Sequence, residues 1–268
     1  MKAILIASYL LLLFVVLPSD VLAAHFLEPL GTEIAATPPR GRMFGQVQFQ
    51  YRYSREENGT TKTTQLLPIE FDIGLGERLQ LNLGGEILLR EETTGSPRES
   101  GIEEIGVGIK HRFLDETRLL PDAAFAVNYS PSIGLKGNGH GIGGTLILSK
   151  NLHPRFVVHL NGGYELETDR ETDVTSGTDE VVNHETWIYN VAPMFRAIPD
   201  QLMVLAELNG RTEVSGNTVL TLAPEVIVVI QTETFFALQN LAIKLAVPFG
   251  LNGDSPDIGV KIGLSKLF

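Results

Sequence analysis

One feature constrains this chain more than any other: apolar and polar side chains alternate with a strict period of two, in segment after segment. In residues 43–53 the odd positions are Met43, Gly45, Val47, Phe49, Tyr51 and Tyr53, and the even ones include Gln46, Gln48, Gln50 and Arg52. Side chains of a β-strand point alternately to opposite faces, so this pattern describes a strand with one apolar and one polar face. Residues 67–73, 79–90, 105–113, 123–129, 141–150, 156–166, 186–195, 202–211, 220–228, 241–249 and 258–268 repeat it. That makes about twelve segments of about ten residues, the length of a tilted membrane-crossing strand. The last segment ends the chain on an aromatic, Phe268, placed on the apolar face. The pattern predicts an all-β fold: a transmembrane antiparallel up-and-down β-barrel of about 12 strands. Phe268 is its expected assembly signal.

The connections support the same reading. Short ones fall near residues 76–78, 114–119, 151–154, 197–201 and 230–234. Longer polar ones fall near 54–62, 91–101, 131–139, 168–185, 212–217 and 250–256. Short turns on one side and long loops on the other are usual for bacterial outer-membrane barrels. Within the loop at 54–62, Asn58-Gly59-Thr60 has the form of a glycosylation acceptor, but Asn-Gly is better read as a hairpin turn.

The rings provide an independent test. With each strand's faces set by its aliphatic residues, every Phe, Tyr and Trp from residue 43 onward lies on the apolar face except Phe44 and Phe236. Phe113, Phe156, Phe195, Phe235 and Phe268 flank short turns, whereas Tyr51, Tyr53, Tyr129, Tyr164, Trp187, Tyr189 and Phe249 flank long loops. Two aromatic bands mark two membrane interfaces. A soluble sandwich or lipocalin would also alternate, but its rings would have no reason to band.

The front of the chain predicts export. Residues 1–23 read as a signal peptide: Lys2, an apolar run from Ala3 to Leu17, a break at Pro18-Ser19-Asp20, and Val21-Leu22-Ala23 before the cleavage point. The apolar run falls short of the roughly 20 residues that span a bilayer as a helix. Residues 24–41, with Pro38-Pro39, then form an expected periplasmic N-terminal arm, and residues 42–268 the barrel. The chain has no cysteine, so disulfides, thiolate nucleophiles, Cys-ligated metals and lipoprotein anchoring are excluded. Its net charge of −11 argues against nucleic acid as a partner. The expected partners are outer-membrane lipid and lipopolysaccharide, the barrel-assembly machinery and a small-molecule solute.

Charged residues on the polar faces belong in the lumen, because an Arg or Lys facing lipid at mid-depth costs about 2–4 kcal/mol. They are Arg52, Glu70, Asp72, Glu86, Arg90, Lys110, Arg112, Arg155, Glu165, Glu207, Arg211, Glu225, Lys244 and Lys261. Arg52, Glu86, Arg90, Lys110, Arg112, Glu207, Arg211 and Glu225 are the candidate pore-lining set. Their signs nearly balance, which predicts weak ion selectivity, and interior ion pairing is the simpler role for any one of them. The negative charge then concentrates in loops, above all residues 168–185. There the spacing of Asp169, Glu171 and Asp173 could recruit a hard divalent cation, but it lacks the full calcium-loop pattern, and a solvated acidic loop is the favoured reading.

Catalytic readings are thin. His159 and Asn161 share one strand face, and Ser149 lies on the neighbouring strand. A Ser/His/Asn set can serve acyl transfer. These side chains point inward, whereas a lipid-hydrolysing site should face the bilayer. No catalytic, cofactor-binding or metal residue is assigned.

Four stretches stand out: Gly101-Ile102-Glu103-Glu104-Ile105-Gly106-Val107-Gly108-Ile109-Lys110-His111-Arg112-Phe113, Leu148-Ser149-Lys150-Asn151-Leu152, Ala206-Glu207-Leu208-Asn209-Gly210, and the hairpin from Asn252 to Gly259. Through them residues 101–268 resemble the MetA-pathway-of-phenol-degradation family of outer-membrane β-barrel transporters. Family members often carry an aromatic where this chain has Lys266, a residue that at the membrane edge can snorkel into headgroups. The resemblance implies transport of small aromatic or organic-acid solutes in a porin-like manner. It implies no catalytic residue. Two function classes follow: a channel or transporter for small solutes, or a closed structural or surface-interaction barrel acting through its acidic extracellular loops.

Overall fold

The computed structural model describes residues 27–55, 59–131, 133, 139–172, 179–231 and 240–268, without the side chains of residues 169–181. The signal segment 1–23, Phe235 and Phe236, Asp173, and the side chains of Asp169 and Glu171 therefore lie outside what is described.

The strands are β1 (Met43–Arg55), β2 (Thr61–Gly74), β3 (Leu79–Thr93), β4 (Glu99–Leu114), β5 (Asp122–Ser130), β6 (His140–His153), β7 (Phe156–Thr172), β8 (Asp179–Ile198), β9 (Leu202–Glu213), β10 (Thr218–Ile230), β11 (Leu241–Ala246), β12 (Phe249–Gly250) and β13 (Ile258–Leu267). Each pairs antiparallel with its neighbours, and β1 pairs with β13 to close the ring. β11 and β12 are two halves of one stave. Pro248, which has no N–H to donate, interrupts it. The backbone bonds from Val247 N–H to the Pro224 carbonyl (3.1 Å) and from Gly259 N–H to the Pro248 carbonyl (2.8 Å) carry the wall past the break. The result is the expected closed barrel of 12 staves. Closure satisfies every edge, the condition for a sheet to stand in lipid.

The faces are inverted relative to a soluble protein. On β4, Ile109 is 51% exposed and Lys110, the next residue, only 1%. Ile105, Val107, Phe113, Phe125, Val127, Tyr129, Trp187, Tyr189, Phe195 and Phe249 are exposed on the outer surface. Gln46, Gln48, Gln50, Glu207, Glu225 and Lys244 are buried within. This separates a membrane barrel from a lipocalin, whose apolar side faces inward.

Loops are shorter than the sequence pattern suggested. β7 and β8 remain paired out to Thr172 and Asp179, so most of residues 168–185 is a projecting hairpin, not a loose loop. Backbone pairing thus runs past the end of the apolar alternation. Gly59, with φ of +86°, takes the left-handed conformation expected of a hairpin glycine.

Two interior features did not show in the alternation. At the short-turn end the lumen is filled by an apolar cluster of Phe44, Val157, Ala192, Met194, Met203, Leu205, Ile227, Val229, Ala242 and Leu267, with Leu27 packed on it. Phe44, one of the two rings expected on the polar face, is a wholly buried part of this floor. Second, the segment read as a periplasmic arm enters the barrel over its described residues. Glu28, Leu30, Thr32, Ile34 and Ala35 are all buried. Lys266 also differs from expectation. It does not snorkel but is buried, its ammonium 5.7 Å from the Phe268 ring centroid, a cation–π placement that balances part of the desolvation.

Candidate functional site

The arm carries extended backbone into the lumen, and unpaired N–H and C=O groups there must find partners. The inward side chains supply them. Leu30 N–H donates to Glu225 Oε2 and Gly31 N–H to Glu207 Oε1, each at 3.1 Å. Glu33 N–H donates to Asn161 Oδ1 (2.9 Å) and Ala35 N–H to Ser149 Oγ (3.0 Å). In the other direction, Lys244 Nζ donates to the Glu28 carbonyl, Asn190 Nδ2 to Gly31, Asn161 Nδ2 to Glu33 and Lys110 Nζ to Ile34. Bonds to charged groups contribute about 1.5–3 kcal/mol each, so this ladder offsets much of the cost of ordering the arm. Room comes from glycine: a side chain on Gly263 would strike Leu30, and one on Gly74 would strike the carbonyls of Pro38 and Pro39.

Above the arm a cavity of about 830 Å³ runs from Glu33 to Ser54, Lys62 and Asp254 at the loop end. Its carboxylates are Glu33, Glu70, Glu86, Glu91, Glu103, Glu104, Glu165 and Asp254, and its cations are Arg52, Lys62 and Arg211. Two of those cations are held in pairs, Lys62 with Glu91 (2.9 Å) and Arg211 with Glu165 (3.0 Å). Arg52 donates to Gln50 Oε1 (2.8 Å). The balanced lining expected from the alternation is replaced by a clear acidic excess. A smaller cavity of about 320 Å³, lined by Glu167, His184 and Glu213, shares Arg211 with the first.

A bulge creates part of this excess. The β3–β4 ladder passes from Glu86 opposite Glu104 to Ile87 opposite Ile102, so Glu103 has no partner across the ladder. One extra residue breaks the alternation, and both Glu103 and Glu104 line the cavity. Ser130 Oγ donates to Glu104 Oε1.

The predicted pore-lining residues divide into three groups. Arg52, Glu86 and Arg211 line the cavity. Lys110, Glu207 and Glu225 lie beneath it, holding the arm. Arg90 and Arg112 do neither. A register shift between Gln65 and Leu66 places Arg90 opposite Gln65 on the outer face, where it pairs with Glu92 at 2.6 Å. Arg112 sits at the turn end, donating to the Glu77 carbonyl and lying 3.6 Å from Asp115. Lys110 and Arg112 thus share a face with Glu86 but form no belt with Arg90.

Ser149 Oγ does meet His159 Nδ1 at 2.9 Å, yet both are buried, Ser149 Oγ accepts from Ala35 of the arm, and neither lines either of the two cavities above. Among the described residues no group of His, Asp and Glu converges to hold a metal.

No family model matches the chain, and no curated protein matches it. Solved structures do. A crystallised outer-membrane channel from Pseudomonas putida F1 is 12% identical and superposes with a TM-score of 0.69, over 87% of this chain and 98% of that one. The translocator domain of the autotransporter NalP from Neisseria meningitidis is 10% identical over 84% and 87%, with a TM-score of 0.54. The NanC porin is 9% identical over 83% and 98%, with a TM-score of 0.51. The fold is that of the outer-membrane β-barrels, with an apolar outer face.

Proposed function

We propose that this barrel is a channel for small solutes across the outer membrane. The observation that carries the reading is the polar cavity of about 830 Å³ inside a closed ring of strands, reaching the loop end. Below it, the arm and the apolar floor close the route, so passage requires the arm to leave its ladder. The family resemblance suggests aromatic or organic-acid solutes. The carboxylate excess opposes entry of organic anions and favours neutral or cationic ones. Outer-membrane lipid surrounds the barrel, and assembly machinery and lipopolysaccharide remain its proposed partners.

The second reading is a closed structural or surface-interaction barrel acting through its acidic extracellular loops. The filled turn-end lumen favours it. Single-channel recording and liposome swelling separate the two, using the full chain and a variant lacking residues 24–36. The channel reading expects conductance in the full chain and more in the deletion. If neither protein conducts or admits small phenolic, amine or carboxylate solutes, the structural reading replaces it.

A further inference from the structure

We infer that the track of inward side chains beneath the cavity is a binding site for extended, amide-bearing solutes, short peptides above all, and that the arm is its resident occupant; the inference names a solute class for the channel reading above and rests on it for passage. The arm crosses the wall strand by strand. Glu28 meets Lys244 of β11, Leu30 meets Glu225 of β10, Gly31 meets Glu207 of β9 and Asn190 of β8, Glu33 meets Asn161 of β7, and Ala35 meets Ser149 of β6. With the bond from Lys110 to the Ile34 carbonyl, all eight bonds of this ladder end on the arm's main chain. Asn161 shows the principle most clearly. Its side-chain amide accepts from Glu33 N–H at 2.9 Å and donates to the Glu33 carbonyl at 3.0 Å, the two bonds that a residue of an adjoining strand would make.

A site that holds main chain can take any extended peptide, as an open sheet edge does, with side-chain pockets adding selectivity. Selectivity here is concentrated at one point. A Cβ on Gly31 would lie 3.1 Å from Glu207 Oε2 and 3.2 Å from Asn209 Nδ2, so the track favours glycine at that place. Elsewhere the arm's side chains make looser contact: the Glu33 carboxylate is 3.8 Å from Lys110 Nζ, and Glu28 Oε1 turns back to accept from Ile34 N–H. A separate feature points to a further N–H-bearing ligand. Glu207 and Glu225 are fully buried, yet Glu207 Oε2 and Glu225 Oε1 have no hydrogen-bond donor among the described residues. The track thus keeps acceptors that the arm does not use. Glu33 also lines the floor of the large cavity, so a solute descending from the loop end reaches the track there. Exchange then replaces like with like. Each bond the arm gives up is remade to a solute carrying its own amides, and a hydrocarbon or a simple ion cannot remake them.

The probe is a capped decapeptide with the sequence of residues 27–36, added to the full chain in zwitterionic detergent. A tethered arm competes at an effective concentration of about millimolar. Millimolar peptide should therefore speed maleimide labelling of a Thr32→Cys chain, and the same peptide N-methylated at Leu30, Gly31, Glu33 and Ala35 should not. Leu30→Pro/Gly31→Pro removes the two N–H groups that Glu225 and Glu207 accept and leaves the wall untouched. By anisotropy of a labelled probe, this variant should bind the peptide at least about tenfold more tightly than the parent, and the N-methylated peptide at least about tenfold more weakly. A peptide carrying Thr32→Ser, Glu33→Gln and Ile34→Val should bind within about tenfold of the original. Heat-modifiable gel mobility reports whether the variant forms the barrel; if it does not, the labelling of the Thr32→Cys chain decides. The inference is overturned if peptide never speeds that labelling, if N-methylation changes nothing, or if only the arm's own sequence binds. Conductance without peptide binding defeats this inference alone; peptide binding by a chain that never conducts defeats the channel reading and leaves the binding site standing.

Discussion

Gly31 N–H donates to Glu207 Oε1 at 3.1 Å, joining residues 176 positions apart in the chain. Its neighbour Leu30 N–H makes the matching bond to Glu225 Oε2 on the adjacent strand. Two inward carboxylates thus hold consecutive amides of the arm, at about the middle of the barrel wall.

Weakening that grip should release the arm. Glu207→Ala/Glu225→Ala removes both acceptors, at a cost of about 1 kcal/mol or more per bond. The chain has no native cysteine, so one introduced at Thr32, itself 2% exposed, gives a clean reporter. Thr32→Cys should resist maleimide in the parent background and react in the double variant. Equal protection in both would show that the carboxylates do not hold the arm.

Gly210→Val tests the outer face. A Cβ at 210 would run into the Tyr189 ring, which covers the glycine. Overpacking of this kind costs about 1–3 kcal/mol. The temperature at which the folded gel band converts to the unfolded one should fall, and Trp187 emission, from the same strand, should report the displaced ring. An unchanged transition would mean that Tyr189 turns aside freely.

Glu116 in the turn between β4 and β5 provides a pH handle. Burial raises its carboxyl, but the Asn151 amide, Lys150 and the Asn151 N–H outweigh burial and hold it below its ordinary value of 4.5. A depressed carboxyl stabilises the fold above its unfolded pKa and loses that contribution as pH falls through the folded one. Wild-type stability should therefore decline below about pH 4.5. Glu116→Gln should flatten that part of the profile, as followed by urea unfolding. Identical acid profiles would remove Glu116 from the account.

Phe268 is proposed to govern assembly. Its N–H donates to the Met43 carbonyl (2.7 Å), and Met43 N–H donates to the Phe268 carbonyl (3.2 Å), so the last residue completes the closing seam. Deleting it should lower the outer-membrane level at native expression and induce envelope stress. Phe268→Tyr, which keeps the backbone and the ring, should not. Normal assembly of the deletion would place the signal elsewhere.

Much of this molecule is local and could be read from the chain. A period of two assigns each side chain a face from its neighbours alone, so Val47, Ile109 and Trp187 could be placed outside, and Gln48, Lys110 and Glu207 inside, without knowing which strands meet. The number of staves and the ring bands follow from the same rule. What the rule cannot see is any departure from it. The bulge at Glu103 and the shift beside Arg90 each change parity by one residue, and they arise from pairing between strands, not within one. These two irregularities help turn a balanced lining into an acidic one. The arm's position was equally hidden. Leu30 and Ile34 look like any short apolar segment until Glu225, Glu207, Asn161 and Ser149, all more than 110 residues away in the chain, are brought around them. Local alternation decided that there is a barrel and which way it faces; the closure of the ring, a contact between distant residues, decided what fills it.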